Sequence, residues 1–205
     1  MPGQRVIRLL KKIGATPWYR RERAELLLAA QPVIVRKQAE FVDAALSGNQ
    51  KLRDSALDCL RSVDLATETL RRLFEEARGQ QSTRTVAALQ SLAGHPNCYR
   101  VPKDIVDRAL AADRVCRRLA IRLIPRVRIP TLARERWLTR IYESGELEDA
   151  ILVMKASTEM SRRFWLRIFR RSLLSESKDL VSETLYWVWY LEDRPRWLGS
   201  VLRAL

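Results

Sequence analysis

The chain has 205 residues, 47% of them hydrophobic and 30% charged, and a net charge of +14 at pH 7. This length suits one compact domain or one array of small repeats, and the amino-acid composition is that of a globular protein. Only 7 glycines and 8 prolines are present, too few for the turns of an all-β fold, so the composition favours helices.

Histidine and cysteine are scarce. The cysteines Cys59, Cys98 and Cys116 form no C-x-x-C pair, and His95 is the only histidine. Neither a disulfide framework nor a metal site is indicated, so we expect reduced, mostly buried thiols and no cofactor. No apolar stretch reaches the roughly 18 residues of a membrane span, and the N-terminal residues do not read as a secretory signal. We therefore expect no transmembrane segment and a cytoplasmic location.

Helix start and stop signals recur along the whole chain. Gly48, Gly79, Gly94 and Pro125 are predicted to end helices. The predicted helices begin at Pro32, after Asp64, after Ser82 or Thr83, at Pro102, after Asp113 and at Pro130, and continue with ELEDAILVMKA, MSRRFWLRIFRRSLL, residues 177–191 and RWLGSVLRAL. This pattern predicts about twelve helices in a single domain over residues 1–205. Residues 1–30 and 192–205 are predicted to be capping helices.

The N-terminal segment IRLLKKI has two interpretations. Lys11 and Lys12 lie beside Leu9, Leu10 and Ile13, which is compatible with an amphipathic helix on a membrane surface. The segment is short, so the sequence favours a helix that caps the first repeat.

One loose pattern recurs in the helices: R-x-x-[A or W]-[L or I]-x-x-[L, I or F]. It begins at Arg53, Arg117, Arg134 and Arg162, with a near match at Thr85, and positions 53, 85 and 117 are 32 residues apart. The pattern resembles the helical element of HEAT-like repeats over about residues 48–175. The resemblance implies an all-α solenoid of stacked helix pairs, each burying its apolar face on its neighbours. The later matches depart from the 32-residue register, and an irregular helical bundle is the alternative.

Catalytic constellations are weak. His95 and Cys98 in the GHPNC turn could form a nucleophile and base, but no third orienting group is apparent. A turn cap beside a packed thiol is the better interpretation, and we expect no enzyme and no catalytic residue. In length, charge and tryptophan content the chain is also similar to HEAT-like DNA alkylation-repair glycosylases, although no motif aligns with them.

The positive charge is clustered. Residues 114–140 hold nine arginines and one glutamate, and residues 161–171 hold five arginines and no acid. At 100° per residue, Phe164, Trp165, Leu166, Ile168, Phe169 and Leu173 fall on a wide apolar side that includes Arg162. The remaining arginines of that helix form an exposed strip, and a second strip recurs from residue 114. The predicted contact residues are Arg114, Arg118, Arg122, Arg126, Arg163, Arg167, Arg170 and Arg171.

Guanidinium groups pair bidentately with both carboxylates and phosphates, so the residue type alone does not separate a protein partner from a nucleic acid. If the repeats stack in register, the two strips could share one face. A solvated surface without a partner is also compatible with these strips. Among binding functions, the sequence predicts a non-enzymatic scaffold that binds the acidic surface of a partner protein. Nucleic-acid binding through the same arginines is the alternative, and a repair glycosylase is the third possibility.

Overall fold

A computed structural model describes residues 2–80, 82–97, 100–144 and 146–189. Over these residues the chain forms twelve α-helices, one short 3-10 turn at Ile124–Arg126 and no strand, which confirms the predicted all-α class. The helices are α1 (Gln4–Ala15), α2 (Arg21–Arg36), α3 (Gln38–Ala45), α4 (Gln50–Arg61), α5 (Thr67–Ala77), α6 (Thr83–Gly94), α7 (Lys103–Leu110), α8 (Arg114–Leu123), α9 (Thr131–Glu143), α10 (Leu147–Ser157), α11 (Arg162–Leu173) and α12 (Lys178–Trp189). The predicted C-terminal helix over residues 192–205 lies outside the described part.

Internal contacts divide the chain into two compact units, Met1–Ala120 and Ile121–Leu205. In the first unit α3 packs against α4 and α5 against α6, while α3 also contacts α5 and α4 contacts α6. Each of these helices buries one apolar side, because leucine, alanine and phenylalanine recur at helical spacing. Phe41, Leu60, Leu73 and Leu89 are fully or almost fully buried between them.

The loop after α4 is held by side chains from the helix pairs on either side. The amide of Gln38 donates to the Asp64 carbonyl (2.7 Å) and accepts from the Ala66 N–H (2.9 Å). His95 Nε2 contacts the Val63 carbonyl at 2.9 Å, and Gln31 donates to the Ser62 carbonyl at 3.0 Å. These bonds satisfy backbone groups that no helix pairs, and they link segments about 30 residues apart.

The second unit contains α9 to α12. Here α9 packs on α10, α10 on α11 and α11 on α12, and α10 also packs against α12. Lys155 of α10 pairs with Glu183 of α12 at 2.7 Å. Phe164, Ile168 and Phe169 of α11 are buried in this unit.

Several helix boundaries agree with the sequence signals. The Ser82 hydroxyl accepts from the Thr85 N–H at 3.2 Å, and the Asp113 carboxylate accepts from the Cys116 N–H at 2.8 Å, so both residues cap helices as predicted. Pro102 and Pro130 stand immediately before α7 and α9. All four positions reflect the N-terminal preferences of helices.

Two predicted starts are wrong. Pro32 does not begin a helix, because α2 already runs from Arg21 and contains Pro32 in its interior; the break comes at Lys37, where the backbone leaves helical geometry. Asp64 does not cap α5, which begins after Ala66. The Asp64 side chain instead accepts a hydrogen bond from the Asn97 amide.

The amphipathic side of α1 faces the protein interior. Val6, Leu10 and Ile13 are fully buried, and α1 packs against α2 and α4. Lys11 and Lys12 are exposed. The apolar side of α1 is therefore not available to a membrane surface. No helix in the described ranges has the length and hydrophobicity required to cross a bilayer.

Candidate functional site

An open groove of about 660 Å³ lies between α9 and α11 in the second unit. Its arginines are Arg136 and Arg140 of α9 and Arg163 and Arg167 of α11. Each pair is spaced four residues apart, so the two side chains of a pair project from the same side of their helix. The remaining lining residues are Leu132, Glu135, Thr139, Ser161 and Phe164.

The groove exists because α9 and α11 run parallel and are joined by side chains at both ends. At one end the Ser161 hydroxyl donates to Glu135 Oε1 at 2.5 Å. At the other end Tyr142 and Ser172 share a hydrogen bond of 3.0 Å, and Arg171 pairs with Glu143 at 2.9 Å. These contacts hold the two helices at a fixed separation and leave the space between them open.

The start of α11 is fixed by the same serine. The Ser161 hydroxyl accepts from the Phe164 N–H at 3.3 Å, which is an N-cap contact. Ser161 therefore both starts α11 and anchors it to Glu135. Among the described residues, Glu135 is the one acidic side chain that lines the groove, and its carboxylate accepts a hydrogen bond from Ser161.

The four groove arginines form no ion pair with any carboxylate in the described part of the chain. Arg136, Arg140, Arg163 and Arg167 are all exposed. The Arg167 guanidinium lies 5.2 Å from the centre of the Phe164 ring, a cation–π contact that directs it over the groove floor. The groove lining therefore carries four guanidinium groups and one carboxylate, a net charge of +3.

The apolar side of α11 agrees with the helical-wheel prediction in most positions. Phe164 is 2% exposed, and Ile168, Phe169 and Leu173 are fully buried. Trp165 packs edge-on to Phe169 at 5.2 Å and is half-buried. The aromatics therefore belong to the core, as predicted. Arg162, placed on the apolar side by the wheel, is instead exposed at the first position of α11.

The predicted strip from residue 114 is less uniform than expected. Arg114 and Arg122 are exposed, but Arg118 and Arg126 are half-buried, each with a buried Nε. Ile121 is fully buried and lies about 60° from Arg118 around the helix, so the buried arc of α8 reaches the stem of Arg118.

Arg126 follows the end of α8 in the 3-10 turn, where the helical spacing no longer applies. Arg114, Arg118 and Arg126 also interact with other residues of the protein. These three arginines are therefore less available to a partner than the sequence suggests.

The α11 strip is exposed along its length, but only part of it lines the groove. Arg170 is exposed outside the lining, and Arg171 is engaged by Glu143. Arg136 and Arg140 line the groove instead, although the sequence did not predict them as contact residues. Their four-residue spacing was a usable signal, but the wheel of α9 alone does not tell which side faces α11.

His95 serves as a turn cap, as predicted. Its ring is 1% exposed, and its two nitrogens contact the Val63 carbonyl and the Asn97 N–H. Cys59 and Cys116 are buried free thiols, and Cys98 lies outside the described residues. Burial raises the pKa of Cys59 to about 12 and that of Cys116 to about 11. In the described ranges no group of three or more histidine, cysteine or acidic side chains could hold a metal ion.

Comparison of the chain with protein-family models, with curated proteins and with solved structures found no match.

Proposed function

We propose that this chain is a non-enzymatic helix-pair repeat scaffold that binds an acidic segment of a partner protein in the groove between α9 and α11. The observation that carries the proposal is the set of four exposed arginines around that groove, none of which has a carboxylate partner in the described part of the chain.

A repeating arrangement of helix pairs is supported by contacts at regular sequence separation. Glu135 contacts Ser161, Glu143 pairs with Arg171, and Lys155 pairs with Glu183, at separations of 26 and 28 residues. The first unit has matching links, such as the ion pair between Asp43 and Arg72, 29 residues apart. Equivalent helices of successive pairs are expected to touch in this way when pairs stack.

A protein ligand is favoured over nucleic acid by the apolar part of the groove. Leu132 is 59% exposed at its edge, next to the arginines. Phe164 forms the floor and is too buried to stack on a base. A ligand that presents both carboxylates and an apolar side chain fits this combination, because it satisfies the guanidinium groups and covers the leucine.

The test uses defined probes with the full chain. An 18-residue helical peptide of Glu and Leu with one apolar side, poly-glutamate and a 20-base-pair DNA duplex are titrated at about 50 mM and about 200 mM salt. We expect the amphipathic acidic peptide to bind most tightly. The substitutions R136E, R140E, R163E and R167E together should weaken it by about 100-fold or more, since four charge-assisted contacts become repulsive.

A matched control reverses four cations of the first unit: R5E, R8E, K11E and K12E. These residues are exposed, and the control changes net charge by the same amount, so it should weaken peptide binding by less than about tenfold. Leu132→Ser should weaken binding of the amphipathic peptide and leave binding of poly-glutamate unchanged. Equal losses in both charge-reversed proteins would reject the groove, and tighter binding of the duplex than of any peptide would replace the protein ligand by nucleic acid. Circular dichroism establishes that every variant is folded.

A further inference from the structure

The outward side of α2 is apolar and uncovered. Leu28 is 63% exposed, and Val33 and Val35 are also exposed. Ala24, Ala29 and Pro32 are exposed on the same helix. From residue 24 to residue 35 the only charged side chain is Glu25. A surface helix normally presents polar residues to water, so this side is unusual for a helix at the protein surface.

The opposite side of α2 is the one that packs. Ala30 and Ile34 are buried, and α2 contacts α1, α3 and α4. Arg21, Leu28 and Val35 are seven residues apart, so they lie nearly in line along the helix. Ala24, Leu28, Pro32 and Val35 lie within about 80° of one another around the helix and form an exposed apolar stripe about 17 Å long on the outside of the first unit, whereas Val33 lies about 140° from Leu28.

Two aromatic side chains immediately precede this stripe. Trp18 is 82% exposed and Tyr19 is 70% exposed, with their rings edge-on at 6.0 Å. Trp18 also lines a cleft of about 610 Å³ together with Lys11 and Lys51. Tryptophan and tyrosine are the residues that prefer the boundary between lipid headgroups and acyl chains.

The charge around the stripe identifies its occupant. Residues 1–36 carry eight basic residues and two acids. Arg23 is paired with Asp58 of α4 at 2.5 Å, and Arg20 and Arg21 lie beside the two acids, which leaves five cations without a carboxylate partner in the described part of the chain: Arg5, Arg8, Lys11, Lys12 and Arg36. Glu25 is paired with Arg21 at 2.8 Å, and Glu22 lies 3.9 Å from Arg20. A second copy docking through the same side would bring two strongly positive surfaces together, which is unfavourable. A protruding apolar stripe with flanking cations is instead suited to an anionic lipid surface. A bilayer surface can accommodate a protruding helix, so no concave binding partner is required.

We propose that α2 and the preceding Trp18–Tyr19 segment bind the surface of an anionic lipid bilayer. Leu28 and Val35 lie at the level of the upper acyl chains, and the exposed lysines and arginines of α1 together with Arg36 contact lipid phosphates. This surface is separate from the groove between α9 and α11, and the proposal does not depend on the function of that groove.

Vesicle flotation with the full chain tests the proposal. Vesicles of phosphatidylcholine alone are compared with vesicles in which about a third of the lipid is phosphatidylglycerol. We expect binding to the anionic vesicles that falls with salt and is at least about tenfold weaker on the neutral ones. The triple variant W18S, L28S and V35S should reduce binding to anionic vesicles about tenfold or more at unchanged net charge. Tryptophan emission should shift to the blue on the anionic vesicles, and W18F should reduce that shift.

The control variant V115S, L147S and L174S removes three other exposed apolar side chains and should bind within about twofold of the wild type. Absence of wild-type binding to anionic vesicles would reject the proposal. So would equal binding of the W18S, L28S and V35S variant, which would mean that charge alone attracts the protein to the membrane. A wild-type dimer in light scattering that dissociates in this variant would assign the stripe to a second copy instead.

Discussion

Buried polar side chains of the first unit are held by backbone groups. His95 Nδ1 accepts the Asn97 N–H, so its Nε2 carries the proton and donates to the Val63 carbonyl. Gln38 uses both ends of its amide on the loop before α5. Each bond pairs a polar group of the loop. If that group were buried without a hydrogen-bond partner, the folded state would be destabilised by about 1–3 kcal/mol. The position of His95 in a turn could be predicted from Gly94 and Pro96, but its partner 32 residues away could not.

The buried thiols provide a prediction at the same scale. Cys59 and Cys116 should resist alkylation by iodoacetamide at pH 8 in the folded protein, because only the thiolate reacts and both pKa values lie well above this pH. Reactivity should increase only as the pH approaches about 11 for Cys116 and about 12 for Cys59. Peptide mass spectrometry measures the labelling, and the protein in urea is the control in which both thiols react. Rapid labelling of Cys59 in the folded protein at pH 8 would contradict the burial described above.

Individual helices were predictable where a local side chain sets the boundary. Ser82 and Asp113 satisfy backbone N–H groups within three residues, so the signal and its effect lie in the same short segment. Pro32 misled because α2 tolerates a proline in its interior. The prediction that Asp64 caps α5 failed, since its carboxylate accepts a hydrogen bond from Asn97, which lies in a turn 33 residues away. Local propensity is overridden at such positions by contacts that are remote in sequence.

Ion pairs between helices predict a pH dependence of stability. Arg78, at the end of α5, donates to Asp104 of α7 at 2.6 Å, and this hydrogen bond lowers the pKa of Asp104. A lowered carboxyl pKa contributes stability above the unfolded value of about 3.9, and that stability is lost as the pH falls through the folded value. Both side chains are well exposed, so we expect Asp104→Asn to lower the free energy of unfolding by up to about 1 kcal/mol at pH 7.

The measurement is urea unfolding at about pH 7, 4 and 2.5, where the difference between wild type and Asp104→Asn should shrink as the carboxylate is protonated. Asp54→Asn is the matched control, since Asp54 is exposed and pairs with no cation in the described part of the chain. A difference that is as large at pH 2.5 as at pH 7 would assign the effect to something other than the ion pair.

Over the whole molecule, the sequence predicted the helical class and the location of the positive charge better than the site. Arg163 and Arg167 were selected because the wheel of α11 is two-sided. Arg136 and Arg140 were missed, since only the packing of α9 beside α11 makes them neighbours. Arg118 and Arg126 were selected although packing half-buries them. A pattern along one helix reports which side is polar, but which polar sides meet depends on tertiary contacts.

The excess of positive charge also predicts how stability responds to salt. A net charge of +14, concentrated in arginine clusters that contain few acids, makes the folded chain repel itself. Sodium chloride should therefore raise the Tm by a few degrees between about 20 mM and about 300 mM, because screening relieves this repulsion. Differential scanning fluorimetry measures the change. The protein carrying R136E, R140E, R163E and R167E should show a smaller rise, and a fall in wild-type Tm would mean that ion pairs outweigh the repulsion.

The side-chain contacts that join α9 to α11 at both ends have a consequence for binding kinetics. Glu135 with Ser161 at one end, and Tyr142 with Ser172 at the other, set the width of the groove before any ligand arrives. A preorganised cleft loses little conformational entropy on capture, so positive charge accelerates encounter while the fit of the ligand decides residence time. Sequence changes in the acidic segment proposed as the ligand are therefore expected to alter how long the complex lasts far more than how quickly it forms.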